Sequence, residues 1–266
     1  MGQGIKTLFM NINIDENIFK QYTGLKVGVI IIKSVNNTRR ISYIQSLLRG
    51  IWAQRQKEFE NKEIHDEPYI KAWDEAFGMF GVSPLKHQHI VAKLLQKAKS
   101  GAEVVHKTAL EDICRYFNMK YLLPVRGKDI DWLCGDLNLV YTKGGEPFRP
   151  ANSIEVYNAG EGEVSYMDKG GIVQRYWNYR ECERTKITMR TVNSAFIVED
   201  LSNMHLDKFG EILREMGMNI IKYIGGEIEE YILTSENPSV NLGVEGRRTA
   251  DDSKIPLQEK AYFLKI

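Results

Sequence analysis

At Tyr116 to Pro124 the sequence reads YFNMKYLLP, and the spacing of apolar residues differs on the two sides of this segment. Upstream, apolar residues recur every three or four positions, which is typical of helices. Downstream, they form short runs between glycine-rich turns, which is typical of strands. Pro124 cannot continue a helix, because its ring removes the backbone N–H. Helices followed by strands predict an α+β fold, with a sheet packed against helices, rather than a doubly wound sheet.

The helix predictions depend on apolar spacing and on capping residues. Ser83 followed by Pro84 is typical of a helix start, and Thr108 with Glu111 forms a capping-box pattern. The predicted helices are Ile41 to Trp52, Tyr69 to Phe80, Ser83 to Gly101, Thr108 to Leu123 and Met204 to Met216.

The strand predictions depend on short apolar runs bounded by turn residues. The predicted strands are Leu25 to Lys33, Asp136 to Tyr141, Gly162 to Met167, Ile172 to Trp177, Ser194 to Glu199, Asn219 to Ile224 and Ile228 to Thr234. A hairpin turn is predicted at Lys169 to Gly171, and a long polar loop at residues 235 to 255. We expect the sheet to be built mainly from residues after Asp129, with the helices from Ser83 to Leu123 on one side.

Composition limits the possible functions. The longest apolar run, VGVIII at Val27 to Ile32, has strand length, so we expect no membrane span and, without a secretory signal, a cytoplasmic protein. The three cysteines have no CxxC spacing and are expected to be reduced. The formal charge is only +1, so any RNA contact needs a local basic patch. Candidate patches are the segment from Arg175 to Arg190 and the pair Arg247 and Arg248.

The segment RYWNYRECERTKITMRT, from Arg175 to Thr191, has more features of a functional site than any other. Its charges fit neither a helix period nor strand alternation. Its aromatic residues, Tyr176, Trp177 and Tyr179, suit either base stacking or the core. Its glutamates, Glu181 and Glu183, suit either a site or structural ion pairs. Gly144 and Gly145 suit either close approach of backbone N–H groups to a ligand or a plain turn.

Common motifs for nucleophilic or metal chemistry are missing from the sequence. His87 and His89 would lie on different faces of a helix, so we expect exposed histidines rather than a shared metal. No metal and no cofactor are predicted.

Four segments together resemble the tRNA-binding and editing domain (B3/B4 type) of the phenylalanyl-tRNA synthetase beta subunit. They are YFNMKYLLP, DIDWLCGDLNL (Asp129 to Leu139), KGGEPF (Lys143 to Phe148) and the segment from Arg175 to Thr191. The closer similarity is to free-standing proteins that consist of this domain alone. The resemblance covers about Trp73 to Glu199. It implies one domain over 1–266, with an N-terminal extension at 1–72, the editing-domain-like core at 73–199 and a C-terminal part at 200–266.

The resemblance also implies roles for individual residues. A glutamate that recognises the substrate falls at Glu183 or Glu181, and with Asn178 these form the predicted catalytic set. The predicted substrate-binding residues are Glu146, Cys114, Arg115, Arg126 and Trp177. The predicted RNA-binding residues are Arg175, Arg180, Arg184 and Lys186. The synthetase has threonine, asparagine and histidine where this chain has Cys114, Arg115 and Arg126.

These roles lead to two main functional hypotheses. The first is a hydrolase that deacylates mischarged tRNA in trans, with tRNA or aminoacyl-tRNA as partner. The second is a module that binds tRNA or an amino acid without turnover, and a weaker third is a partner-binding domain. A geometric prediction follows from the site assignment. Glu146, Asn178, Arg180, Glu183 and Arg184 should converge on one concavity together with Cys114, Arg115 or Arg126.

Overall fold

The computed structural model describes residues 9–38 and 41–245. The helices are α1 (Glu16–Gln21), α2 (Ser42–Glu58), α3 (Pro68–Met79), α4 (Ile90–Lys99), α5 (Ala109–Tyr121) and α6 (Leu206–Tyr223). The strands are β1 (Phe9–Ile14), β2 (Lys26–Lys33), β3 (Val125–Asp129), β4 (Leu137–Lys143), β5 (Pro147–Phe148), β6 (Tyr157–Asn158), β7 (Glu161–Asp168), β8 (Gly171–Arg175), β9 (Arg180–Glu181), β10 (Ser194–Asp200), β11 (Glu227–Leu233) and β12 (Ser239–Glu245).

Besides a small two-stranded sheet of β5 and β6, two larger sheets and a helical layer form the fold. One sheet has the strand order β12-β1-β4-β7-β8-β9, and the other has the order β11-β2-β10-β3. The main apolar core lies between the two sheets and includes Ile12, Val29 and Ile197. A second core lies between the other face of the four-stranded sheet and helices α5 and α6, where Phe117 and Leu213 are buried. The predicted α+β class, with sheet packed against helices, is confirmed.

The sheets draw on more of the N-terminal region than predicted. β1 lies between β12 and β4, and β2 lies between β11 and β10. Parallel pairing occurs between β1 and β4, whereas the other strand pairs of the described residues are antiparallel. The division of the chain at residues 72 and 199 remains a prediction.

Capping signals gave one correct and one wrong helix start. Thr108 caps α5, and its Oγ1 accepts a hydrogen bond from the Glu111 N–H at 3.2 Å. The helix start predicted at Ser83 is wrong, because only one turn forms there and α4, which lies in the second half of the predicted helix, begins at Ile90. The chain is extended at His89, where the imidazole is fully buried beside Trp73 and Phe77. His89 was expected to be exposed, and burial lowers its pKa to about 3, so it is a neutral core residue.

The C-terminal region departs from prediction at two places. Asn219 to Ile224 is not a strand, because α6 continues to Tyr223 and buries Ile220 on the same face as Met216. Within the predicted loop at 235–255, Ser239–Glu245 forms β12 against β1. Residues 246–255, which include the basic pair Arg247 and Arg248, lie outside the described residues.

Candidate functional site

A cavity of about 460 Å³ lies among α4, α5, β3 and β9. Its apolar lining includes Ile90, Leu94 and Ile187. Its charged lining comprises the bases Lys93, Lys97, Lys107, Arg115, Arg126 and Arg180 and the acids Glu103, Glu111 and Glu181. With six bases and three acids, the cavity favours an anionic ligand or an anionic part of one.

Helix α5 supplies one wall of the cavity. Cys114 is buried, and its Sγ donates to the Val125 carbonyl at 3.3 Å. Burial raises the pKa of Cys114 to about 12, so the thiol stays protonated at neutral pH and is a poor nucleophile. Arg115 forms an ion pair with Asp112 and donates to the Val105 carbonyl at 2.6 Å. Arg115 therefore fastens the loop before α5 to the helix, in addition to lining the cavity.

Arg126 reaches from β3 to the turn that connects β8 and β9. Its Nη2 donates to the carbonyls of Asn178 at 3.0 Å and Tyr179 at 2.8 Å. These acceptors are neutral, so the hydrogen bonds orient the guanidinium without compensating its charge. Arg126 is half-buried, and it presents a cation at the floor of the cavity.

The turn at residues 176–179 is strained and is held by Glu199. Tyr176 and Trp177 have backbone φ angles of 46° and 59°. Residues other than glycine adopt this left-handed region at a cost of order 1–3 kcal/mol each. The carboxylate of Glu199, which is buried, accepts hydrogen bonds from the Trp177 Nε1 at 2.6 Å and the Asn178 Nδ2 at 3.2 Å. Tyr166 donates to the same carboxylate at 2.7 Å. The turn at residues 176–179 leads directly into β9 and so fixes the position of Arg180 and Glu181.

The two candidate glutamates lie in different environments. Glu181 lines the cavity, whereas Glu183 accepts a hydrogen bond from the Asn152 N–H at 2.6 Å and pairs with Lys186 at 2.8 Å. Between the two alternatives that the sequence left open, the geometry favours Glu181 as the residue able to contact a ligand.

Five of the predicted site residues meet at the cavity: Cys114, Arg115, Arg126, Arg180 and Glu181. The others do not, so the predicted convergence on one concavity is wrong for Glu146, Asn178, Glu183 and Arg184. Glu146 lines a separate depression beside Met167 and Asp168. Asn178 and Trp177 are fully buried, which leaves no side-chain surface for a ligand.

Three of the four predicted RNA-binding residues are held in structural ion pairs. Arg184 binds both carboxylate oxygens of Asp168, at 2.8 and 2.6 Å. Arg175 binds Glu163 in the same way, at 2.9 and 2.7 Å. Lys186 pairs with Glu183. Arg180 differs, because it is exposed and lines the cavity.

Comparison with known proteins identifies the family. The family model described as the B3/4 domain matches residues 72–208, which is about half of the chain. The chain belongs to the B3/4 domain family. No curated protein sequence matches it. Among solved structures, it is similar to an N-terminal fragment of the phenylalanyl-tRNA synthetase beta-subunit from Pyrococcus horikoshii, with 12% identity and a TM-score of 0.43. That alignment covers 85% of this chain and 55% of the fragment, so this chain spans about half the length of that fragment.

The B3/4 domain places a buried lysine behind the cavity. Lys128, two residues after Arg126 on β3, is fully buried, and its Nζ has no hydrogen-bond partner among the described residues. Burial lowers its pKa to about 8, against the opposing effect of nearby Glu181. Gln174 is paired with Glu181 across β8 and β9, and its buried amide atoms also have no partner. Lys128 and Gln174 are thus buried polar side chains close to Glu181 whose polar atoms form no hydrogen bond among the described residues.

The lysine predicts an unusual dependence of stability on pH. The folded-state pKa of Lys128 is lowered from 10.5 to about 8. Between these two pH values the unfolded chain therefore binds more protons than the folded chain, and the free energy of unfolding rises with pH. Burial of Lys128 destabilises the fold most below pH 8. Lys128→Met should therefore raise the free energy of unfolding relative to wild type. This gain should decrease by about 3 kcal/mol between pH 7 and pH values above 10.5.

Urea unfolding of both proteins across this pH range measures the difference. Lys20→Met removes the same charge from an exposed position on α1 and controls for net charge. A Lys128→Met difference that stays constant with pH would show that Lys128 does not titrate as inferred.

Sequence reasoning missed three residues that shape this B3/4 site. Glu199 falls at the end of a predicted strand with no other role, and Lys128 falls between the predicted elements. Charged residues inside a buried strand, as in SAFIVED and VRGKD, are the available signal, because a buried charge needs a partner. Lys93 lies on α4, where exposed charges are usually solvated.

The described part of the chain was compared with the requirements of a metal site, a membrane-spanning helix and a disulfide. Over residues 9–38 and 41–245, no set of three or more histidine, cysteine or acidic side chains is placed to bind a metal ion. Over the same ranges, no helix has the length and apolar character needed to cross a bilayer. All three cysteines are free thiols.

Proposed function

We propose that this B3/4 protein binds the aminoacylated 3′ end of a mischarged tRNA in the cavity and hydrolyses the ester in trans. One observation carries the proposal. The positions that the resemblance assigns to substrate binding, Cys114, Arg115 and Arg126, line one cavity together with Glu181. The family membership supports a function related to tRNA synthetases. A substrate of this kind is consistent with a cytoplasmic protein.

Water is the nucleophile in this proposal. The Cys114 thiol is protonated and engaged with the Val125 carbonyl, so it does not attack the ester. Water adds to the ester carbonyl carbon, the bond to the ribose oxygen breaks, and the proton lost by water is transferred to that oxygen. Glu181 accepts a hydrogen bond from the ammonium group of the amino acid, and Arg126 lies where negative charge on the substrate can be stabilised. Positioning and electrostatics then provide the catalysis.

A non-catalytic binding module is the second candidate. The excess of bases in the cavity favours it, because this excess suits retention of an anionic RNA end. Arg115 and Arg126 also replace the smaller or neutral residues of the synthetase. Under this alternative, tRNA binds and the ester persists.

Deacylation separates these two functions. The full chain is incubated with a panel of correctly charged and mischarged tRNAs, and release of each labelled amino acid is followed over time. The proposal predicts release from at least one mischarged tRNA well above the spontaneous rate, with inhibition by excess uncharged tRNA. Binding of tRNA without release from any member of the panel would contradict hydrolysis and favour the binding module.

A further inference from the structure

Four bases gather on one side of the cavity from three different elements. Lys93 and Lys97 are four residues apart on α4 and therefore lie on the same face of that helix. Arg126 comes from β3 and Arg180 from β9, and all four side chains line the cavity. We name these four residues the cation cluster.

The cation cluster lacks carboxylate partners among the described residues. Arg115 and Lys107, which line the same cavity, pair with Asp112 and Glu111. None of the four cluster residues forms an ion pair within the described ranges. Arg126 donates its Nε and Nη2 to backbone carbonyls, and its Nη1 has no acceptor within these ranges. The Nη1 group of Arg126 thus stays free for a ligand.

The members of the cluster are close enough to repel one another. The pKa of Lys93 is lowered, first by partial desolvation in the cavity and then by Arg126, Lys97 and Arg180. Glu181 opposes this effect, but it is a single carboxylate among four bases. A bound anion would relieve the repulsion, so the cluster is complementary to more negative charge than Glu181 supplies.

We propose that the cation cluster is a phosphate subsite that binds the phosphodiester immediately preceding the terminal nucleoside of an RNA 3′ end. Arginine forks match two oxygens of a phosphate group, and lysines add point charges. Tyr179 lies beside the cluster, with its ring 5.9 Å from the Lys93 Nζ, and offers an aromatic surface next to the phosphate. The cavity volume of about 460 Å³ suits a ligand of nucleotide size. This inference rests on the proposed function, because it specifies how the same cavity binds RNA.

The test uses small probes with the full-length protein. Calorimetry compares the dinucleotide CpA, adenosine and inorganic phosphate at several salt concentrations. We expect CpA to bind at least about tenfold more tightly than adenosine, with a dissociation constant that rises with salt. Lys97→Ala and Arg180→Ala should each weaken CpA binding about tenfold and leave adenosine binding unchanged. Lys186→Ala is the matched control, because Lys186 is paired with Glu183 outside the cavity, and it should not change either affinity.

Several results would overturn the inference. These are equal affinities for CpA and adenosine, a Lys186→Ala effect as large as that of Lys97→Ala, or inorganic phosphate binding as tightly as CpA, which would indicate a site for free phosphate. The outcome is separable from that of the proposed function. CpA discrimination without ester cleavage supports the subsite and contradicts hydrolysis. Ester cleavage with a KM for aminoacyl-tRNA that is unchanged in Lys97→Ala and Arg180→Ala contradicts the subsite alone.

Discussion

Replacing Glu181 with glutamine should slow ester hydrolysis by about 100- to 1,000-fold, as loss of one positioned electrostatic contact to a transition state commonly does. The substitution keeps the size of the side chain and removes its negative charge. In the proposed mechanism this charge binds the ammonium group of the substrate. Glu183→Gln is the matched control. Glu183 lies only two residues away, but its carboxylate is directed at Asn152 and Lys186, so hydrolysis should stay within about threefold of wild type.

Single-turnover deacylation with protein in excess measures the chemical step, and thermal unfolding of each variant shows that the fold is kept. A large loss in Glu183→Gln with a small loss in Glu181→Gln would reverse the assignment. Equal losses would mean that the loop from Arg180 to Arg184 acts through its structure rather than through one carboxylate.

This pair of glutamates illustrates what the sequence could predict. The charges of the segment from Arg175 to Thr191 follow no single helix or strand period, as predicted, because Arg175 ends β8, Arg180–Glu181 forms β9 and much of the remainder forms turns. The strand predicted to reach Trp177 ends at Arg175. The direction of each side chain depends on the strained turn at Tyr176 and Trp177, whose φ values are set by tertiary contacts. Spacing alone therefore left Glu181 and Glu183 as alternatives.

The arginines of the same segment show a second limit. The local sequence around a basic residue does not distinguish an RNA-binding side chain from one that pairs with a buried carboxylate. Arg184 binds Asp168, the last residue of β7, and Arg175 binds Glu163, near the start of the same strand. Such long-range pairing is decided by sheet register, which no local pattern contains.

The errors in secondary structure have similar causes. Asn219 to Ile224 has a β-branched, apolar sequence that is typical of a strand, yet burial of Ile220 against the core beside β2 keeps it helical. Tertiary packing overrides weak local propensity in such segments. Regular features with strong local signals, such as the capped helix starting after Thr108 and the hairpin turn between Asp168 and Gly171, are confirmed.

The largest effect on stability is expected at Glu199. Glu199→Ala removes the acceptor for three donors, the Tyr166 hydroxyl, the Trp177 indole and the Asn178 amide, in a fully buried position. Leaving buried donors unpaired costs about 1–3 kcal/mol each, and such costs are not additive within one network. We expect the free energy of unfolding to decrease by about 3 to 5 kcal/mol, a large fraction of the stability of a typical domain.

Glu199→Gln is the informative counterpart, because the Asn178 Oδ1 is buried without a partner in the described structure. The glutamine oxygen can keep the bonds from Tyr166 and Trp177. If the Asn178 amide then rotates by half a turn, its free oxygen accepts from the new glutamine N–H, and the network is restored without a charge. Urea unfolding should therefore show a loss of less than about 1.5 kcal/mol for Glu199→Gln against the much larger loss for Glu199→Ala. Equal losses would mean that the charge of Glu199, rather than its hydrogen bonds, holds the strained turn that positions Glu181 in the cavity.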